Sequence, residues 1–295
     1  MTDVLPSWNE GQAKKAIIDF VASATQPGPG FVEPTDRIAT FDYDGTLWCE
    51  KPSYVQADFF LRRMREMIEA KPELAKEQPF KAISENDEDF LGHLLEHAAE
   101  LAKGVTEAYA DITTDAFEQA VETFFASATH PTLGVPYTSV GYQPMRELVE
   151  LLRAHGFTVY VCSGGGRDFV RVVSEQMFGI LREHVIGSGT TLEYREGDVY
   201  RTKGVEEPFD EHGGKPVHIW TRTGRKPLFA AGNTNGDQAM LEVARFSLLV
   251  NHDDGEREFA YTELAENALA EAAKRGWVVV SMKDDWKSVF AEPGL

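Results

Sequence analysis

The chain has 295 residues, 42% of them hydrophobic and 26% charged, which describes a globular protein with room for one large domain plus an insertion, or two domains. A net charge of −19 argues against nucleic acid or an anionic membrane as the main partner, and no apolar stretch approaches a membrane-spanning length. The start, MTDVLPSWNEGQAKKAI, lacks a basic-then-apolar signal pattern, and Cys49 and Cys162 form no disulfide framework, so a cytoplasmic location is expected.

Apolar residues at helical spacing over 7–24 (Trp8, Ala13, Ile17, Ile18, Phe20, Val21) predict a helix. The breaker-rich QPGPGFVEP follows, and then RIATFDYD, which predicts a buried strand ending at Asp42. From 48 to 139 the pattern turns helical, with segments near 53–70, 87–103, 105–111 and 114–127. Within it, ENDED (85–89) reads as a solvated face or a helix start.

A helix is predicted over 144–155, opened by Pro144 and closed by Gly156. The strand FTVYVCS (157–163) feeds GGGRDFVRVVSEQMFG, a glycine turn and a helix. Residues 184–201 predict two short strands joined by REGD. GGKPVHIWTRTG reads as a short helix, PLFAAGN (227–233) as a strand, and NGDQAMLEVA as a helix. FSLLVN (246–251), a helix near 264–275 and WVVVS (277–281) complete the chain. Alternating strands and helices imply an α/β fold: a Rossmann-like, doubly wound parallel sheet, with the all-helical block inserted after the first strand as a cap. Ligands of such sheets sit beyond the carboxyl ends of the strands, where Asp42, Ser163 and Asn233 all fall.

Four segments carry chemistry. In DYDGT (42–46), one carboxylate at a strand end suits a nucleophile, and a second two residues on suits proton transfer; Gly45 permits the tight path between them. The same pattern is also an ordinary acidic turn. In CSGGGRD (162–168), Ser163 and the N–H groups after it suit a phosphate oxygen at a helix start, or Ser163 simply caps the helix. In GGKPV (213–217), Lys215 is a fixed cation or a surface lysine, with Lys203 as its rival. In AGNTNGDQAM (231–240), Asn233 and Asp237 offer oxygen ligands suited to Mg²⁺, or form a polar helix start.

Taken together, DYDGT, Ser163, Lys215 and GNTNGD resemble the hallmark set of the haloacid dehalogenase (HAD) superfamily, and SGG with the helical block is similar to its phosphoserine phosphatase-like branch. The resemblance implies a HAD-like catalytic core over 1–47 and 140–295 and a helical cap domain over 48–139. It implies Asp42 as a nucleophile that becomes an aspartyl-phosphate, Asp44 as general acid/base, and Lys215 as the neutralising cation. Phosphate binding falls to Thr46, Ser163, Gly164 and Arg167. The implied Mg²⁺ is held by Asp42, the Asp44 carbonyl and an acid of the last motif, where Asn233 stands in place of the usual Asp and Asp237 keeps the later carboxylate. Glu50 lies near where serine-phosphate members meet the substrate amine; its other reading is a hinge-loop surface charge.

The expected function is Mg²⁺-dependent hydrolysis of a small phosphorylated metabolite. A phosphomutase or phosphotransferase using the same intermediate is the alternative, and a non-catalytic phosphometabolite sensor is a third reading. Asp44 separates phosphate chemistry from dehalogenation, because dehalogenating members lack an acid there. In the cap, Arg62, Arg63 and Arg65 read as solvated charges, and Phe59, Phe60, Phe124 and Phe125 as cap core.

Overall fold

A computed structural model describes residues 4–87, 90, 104 and 106–291. Most of the helix expected over 87–103 lies outside the described residues. The chain divides into two compact units: Met1–Pro52 with Thr129–Ser188 and Pro208–Leu295, and Ser53–Ala128 with Gly189–Glu207.

The first unit is built on a six-stranded sheet: β1 (Ile38–Phe41), β2 (Thr158–Gly166), β3 (Val185–Ser188), β6 (Phe229–Gly232), β7 (Phe246–Asn251) and β8 (Val278–Ser281). Their order is β3-β2-β1-β6-β7-β8, and every pairing is parallel. After β1 the chain steps outward through β2 and β3, then returns to the other side of β1. The strand order therefore reverses between β1 and β6, which opens a crevice at the carboxyl ends of the strands there.

Helices cover both faces because the strands bury side chains on both. Helix α1 (Gln12–Thr25) turns Ala13, Ile17, Val21 and Ala24 inward. Phe20 packs on Phe246 with ring centroids 4.5 Å apart, and Phe229 stacks between Phe41 and Phe246. Opposite them, Ala230, Cys162, Ile186 and Leu249 pack with Ile219, Met240, Leu241, Ala268 and Ala272. The helices of this unit include α5 (Gln143–Ala154), α6 (Arg167–Phe178), α7 (Gly214–Thr223), α8 (Gln238–Val243), α9 (Glu266–Arg275) and α10 (Met282–Asp285).

Three expectations change. Helix α1 starts at Gln12, not residue 7, because Trp8 is spent elsewhere: it bridges Trp286 in an antiparallel contact, and its indole donates to the Pro144 carbonyl at 2.9 Å. The GGG after Ser163 is no turn but the end of β2. The register slips between Ser163 and Gly166, so Gly164 and Gly165 bulge from the ladder beside β3. Residues 185–205 form three strands, not two. VIGS (185–188) supplies β3 of the main sheet, while β4 (Thr190–Arg195) and β5 (Asp198–Val205) make an antiparallel hairpin. Its turn holds Glu196 and Gly197 at φ of 50° and 94°, the left-handed pair that a two-residue hairpin favours.

The second unit contains α2 (Val55–Ala70), α3 (Phe80–Glu85), α4 (Thr114–Ser127) and this hairpin. The Thr113 hydroxyl caps α4 by accepting from Ala116 N at 3.1 Å. Phe59 stacks on Tyr109 with centroids 4.8 Å apart and meets Phe117 and Phe124 edge-on. The hairpin joins these helices through Asp111 N, which donates to Arg201 O at 2.8 Å, and through the Arg201 guanidinium, 3.8 Å from the Phe117 ring centre. On α2, Arg62 pairs with Asp58 at 2.9 Å, and Arg63 pairs with Glu66 and donates to the Ala108 carbonyl. No helix among the described residues is long and apolar enough to cross a membrane.

Candidate active site

Asp42 follows the last residue of β1, and its N–H donates to Ala231 O at 2.9 Å, extending the β1–β6 pairing into the crevice. The chain then curls tightly. Leu47 N donates to Tyr43 O, Gly45 N to Trp48 O, and Gly45 takes a φ of +71°. A Cβ at Gly45 would lie 1.9 Å from Asn233 Nδ2, so both backbone angle and crowding demand glycine. This path places the Thr46 hydroxyl 3.3 Å from both Asp42 Oδ2 and Asn233 Oδ1. It also brings the Trp48 indole N–H within 2.7 Å of Asp44 Oδ1.

Lys215, at the start of α7, is buried among acceptors. Its Nζ lies 2.6 Å from Asp42 Oδ1, 2.6 Å from Asp237 Oδ1 and 2.8 Å from Cys162 O. The rival Lys203 is exposed on β5. Asp237 turns its other oxygen to the loop after β6, accepting from Asn233 N at 2.9 Å and Thr234 N at 3.0 Å. The Thr234 hydroxyl in turn accepts from Gly236 N, closing a capping box. Asp237 thus fixes the loop that presents Asn233.

Ser163 is buried, and its hydroxyl accepts from Gly165 N at 3.0 Å across the bulge. At Gly164 a Cβ would come within 2.8 Å of the Glu211 side chain. Arg167 opens α6 with its Nε 3.7 Å from Asp168 Oδ1. Of the predicted residues, the structure brings Asp42, Thr46, Lys215, Asn233 and Asp237 into one contact network. Asp44 and Ser163 sit on the same loop and the neighbouring strand.

The two carboxylates of the loop after β1, Asp42 and Asp44, differ in environment. Burial pushes the Asp42 carboxyl well above its usual range and the Asp237 charge adds to this, while Lys215 opposes both. Burial works against the Lys215 charge, but Asp237 and Asp42 outweigh it and hold the ammonium well above its usual value. Asp44 is pushed up to about 7, chiefly by burial; the Trp48 indole bond pulls the other way and the Glu50 charge adds to the rise. One carboxylate is therefore tied to a fixed cation, and the other is poised for proton exchange near neutrality.

A further layer of side chains backs this loop. His252, after β7, is buried against the Asp42–Leu47 loop; its Nε2 donates to the Gly45 carbonyl at 2.7 Å and its Nδ1 lies 3.3 Å from Glu258 Oε2. Two residues on, Asp254 accepts from Glu256 N and Arg257 N and fixes the turn that follows β7. The Tyr261 hydroxyl donates to Glu50 Oε1 at 2.6 Å, and Glu50 is only 4% exposed. Trp48 and Tyr261 carry no motif, and only their contacts reveal them.

Among the described residues, no three His, Cys, Asp or Glu side chains cluster as a ready-made metal site. The oxygen set beside Asp42 nonetheless suits a hard cation. Asp42 Oδ2 and Asn233 Oδ1 face the same hydroxyl, and Mg²⁺ needs only one or two carboxylates when carbonyl, water and phosphate oxygens complete its shell.

The model of the haloacid dehalogenase-like hydrolases matches residues 39–242. No curated protein matches. Among solved structures, a conserved functionally unknown protein from Anaerococcus prevotii is 16% identical over 98% of this chain and 98% of its own, with a TM-score of 0.63. A protein of unknown function from Bordetella pertussis Tohama I is 17% identical over 83% of this chain and 98% of its own, at 0.53. A phosphoserine phosphohydrolase-like protein from Francisella tularensis is 14% identical over 81% of this chain and 99% of its own, at 0.42. The likenesses to the Anaerococcus prevotii and Bordetella pertussis proteins speak for the fold alone. The family match spans the segments from Asp42 to Asp237, and the chain belongs to the haloacid dehalogenase-like hydrolases.

Proposed function

We propose that this member of the family is a Mg²⁺-dependent phosphomonoesterase working through an aspartyl-phosphate on Asp42, with a small phosphorylated metabolite as substrate. The observation that carries the reading is the pairing of two unlike carboxylates on one loop: Asp42 against the Lys215 ammonium, and Asp44 against the Trp48 indole. Asp42 attacks phosphorus, and the bond to the ester oxygen breaks. The leaving oxygen takes its proton from Asp44, which the raised pKa keeps protonated up to about 7. Asp44, now a carboxylate, removes a proton from water as the water oxygen attacks phosphorus. The bond to Asp42 breaks, its electron pair returns to the carboxylate, and inorganic phosphate leaves.

Lys215 neutralises charge on Asp42 and on the phosphoryl oxygens throughout. Ser163, the N–H groups of the Gly164–Gly165 bulge, Thr46 and Arg167 are the proposed phosphate contacts. Mg²⁺, held by Asp42, the Asp44 carbonyl and Asn233, would supply further positive charge to the phosphate. We place Asn233 in direct contact with it, because both oxygens of Asp237 are engaged by Lys215 and the loop N–H groups. The assignment of 1–47 and 140–295 as catalytic core and 48–139 as cap belongs to the same proposal. So does a cytoplasmic setting, supported by two buried free thiols. Phosphate release from 4-nitrophenyl phosphate, measured with Mg²⁺ and with EDTA, tests the reading. Turnover should need the metal, and metal-independent turnover would contradict it.

A further inference from the structure

The last motif carries an amide where an acid is usual, and an amide poses a problem that a carboxylate does not. The two ends of a carboxylate are equivalent, whereas an Asn side chain has one accepting oxygen and one donating NH₂. Turned the wrong way, Asn233 would present N–H groups to a cation.

The surroundings of Asn233 remove that ambiguity. Its Nδ2 lies 3.5 Å from Glu50 Oε1 and 3.5 Å from the Tyr261 hydroxyl, which itself donates to Glu50 Oε1 at 2.6 Å. Its Oδ1 lies on the other side, 3.3 Å from the Thr46 hydroxyl that also reaches Asp42 Oδ2. Glu50 is not at the surface: it is 4% exposed, and Gly45 has no side chain to keep it from Asn233, since a Cβ there would sit 3.0 Å from Glu50 Cδ. Tyr261 is itself braced, stacked on His252 with centroids 4.3 Å apart and with Lys51 Nζ 4.5 Å from its ring centre.

We propose that Glu50 is a positioning residue for Asn233. Its acceptor-only carboxylate, fixed by Tyr261, can face only the NH₂ of Asn233, and so commits Asn233 Oδ1 to the Asp42 side, where Mg²⁺ would bind. The inference rests on the phosphatase reading above and gives Glu50 a task inside the site rather than on the substrate. It explains how an amide serves where an acid is usual: the acid stands one layer behind, where partners of this kind typically set metal affinity by about 10-fold to 100-fold.

The test is Mg²⁺ affinity by isothermal titration calorimetry on the full chain, in the background of Asn233 and of Asn233→Asp. Glu50→Gln, which can offer either an oxygen or an NH₂, should weaken Mg²⁺ by about 10-fold or more when Asn233 is present. In the Asn233→Asp background the same change should leave affinity unchanged or raise it, because a carboxylate needs no orienting and loses a like-charged neighbour. Asn233→Asp alone should bind no tighter than the unaltered chain. Equal losses from Glu50→Gln in both backgrounds, or no loss in either, would overturn the inference. Should Glu50→Gln fail to fold, Tyr261→Phe must weaken Mg²⁺ with Asn233 present, and unchanged affinity overturns the inference. Mg²⁺ binding that Asp42→Asn destroys but Glu50→Gln leaves intact sinks the role of Glu50 alone. A complete lack of Mg²⁺ binding by the unaltered chain overturns the phosphatase reading as well.

Discussion

Lys215 Nζ lies 2.6 Å from Asp42 Oδ1 although 173 residues separate the two along the chain. The ammonium also holds Asp237 at 2.6 Å, so one buried cation serves two buried carboxylates. Replacing Lys215 by Met leaves both without compensation. Loss of one partner from such a buried network costs about 3–5 kcal/mol of stability. Loss of an electrostatic stabiliser at the reacting group lowers kcat by about 100-fold or more. Denaturant unfolding and steady-state kinetics on Lys215→Met check both, and a variant of unchanged stability and kcat would remove Lys215 from the site.

In the proposed reaction Asp44 sets the pH profile. With its pKa raised to about 7, the protonated acid needed for leaving-group departure is fully present below that value and is lost as pH rises through it. The rate of phosphoryl transfer in single turnover should therefore fall on the alkaline side. The Trp48 indole favours the carboxylate, so Trp48→Phe should raise the Asp44 pKa and carry the falling limb to higher pH. A limb that stays in place would mean another group is the acid.

Gly45 couples backbone and site. Gly45→Ala imposes a left-handed residue with a side chain, at about 1–2 kcal/mol, and drives its methyl into Asn233 Nδ2. Thermal unfolding should shift modestly, while Mg²⁺-dependent turnover collapses. Full activity in this variant would contradict the packing of Asn233 against the nucleophile loop.

Cys49 and Cys162 flank the site but should take no part in it. Both are buried. Burial, and for Cys162 the neighbouring Asp210 carboxylate, pushes the thiols up and keeps them from the reactive thiolate form. Iodoacetamide should label neither in the native protein and both in denaturant; rapid native labelling would refute this.

The sheet was legible because its strands are short apolar runs between breakers, and FSLLVN could be read residue for residue. VIGS was misread because it adjoins the hairpin in sequence, and nothing local says that it pairs with β2 instead. Trp8 looked helical by spacing, but a partner near the far end of the chain, Trp286, claims it. In the site, Asp42 and Lys215 could be brought together only by family resemblance, since spacing does not report a contact between distant segments. Trp48, Tyr261 and His252 act through hydrogen bonds to groups already singled out. Their residue types alone are those of any core, and their roles emerge only from geometry.

The account turns on Asp42 as the phosphoryl acceptor. Its most direct test is mass spectrometry of the Asp44→Asn variant, acid-quenched during reaction with 4-nitrophenyl phosphate and Mg²⁺. Without the base for hydrolysis, a phosphoryl group should accumulate on the peptide containing Asp42 and vanish when Asp42→Asn is added. Phosphate released with no modified peptide, or a modification that survives Asp42→Asn, would contradict it.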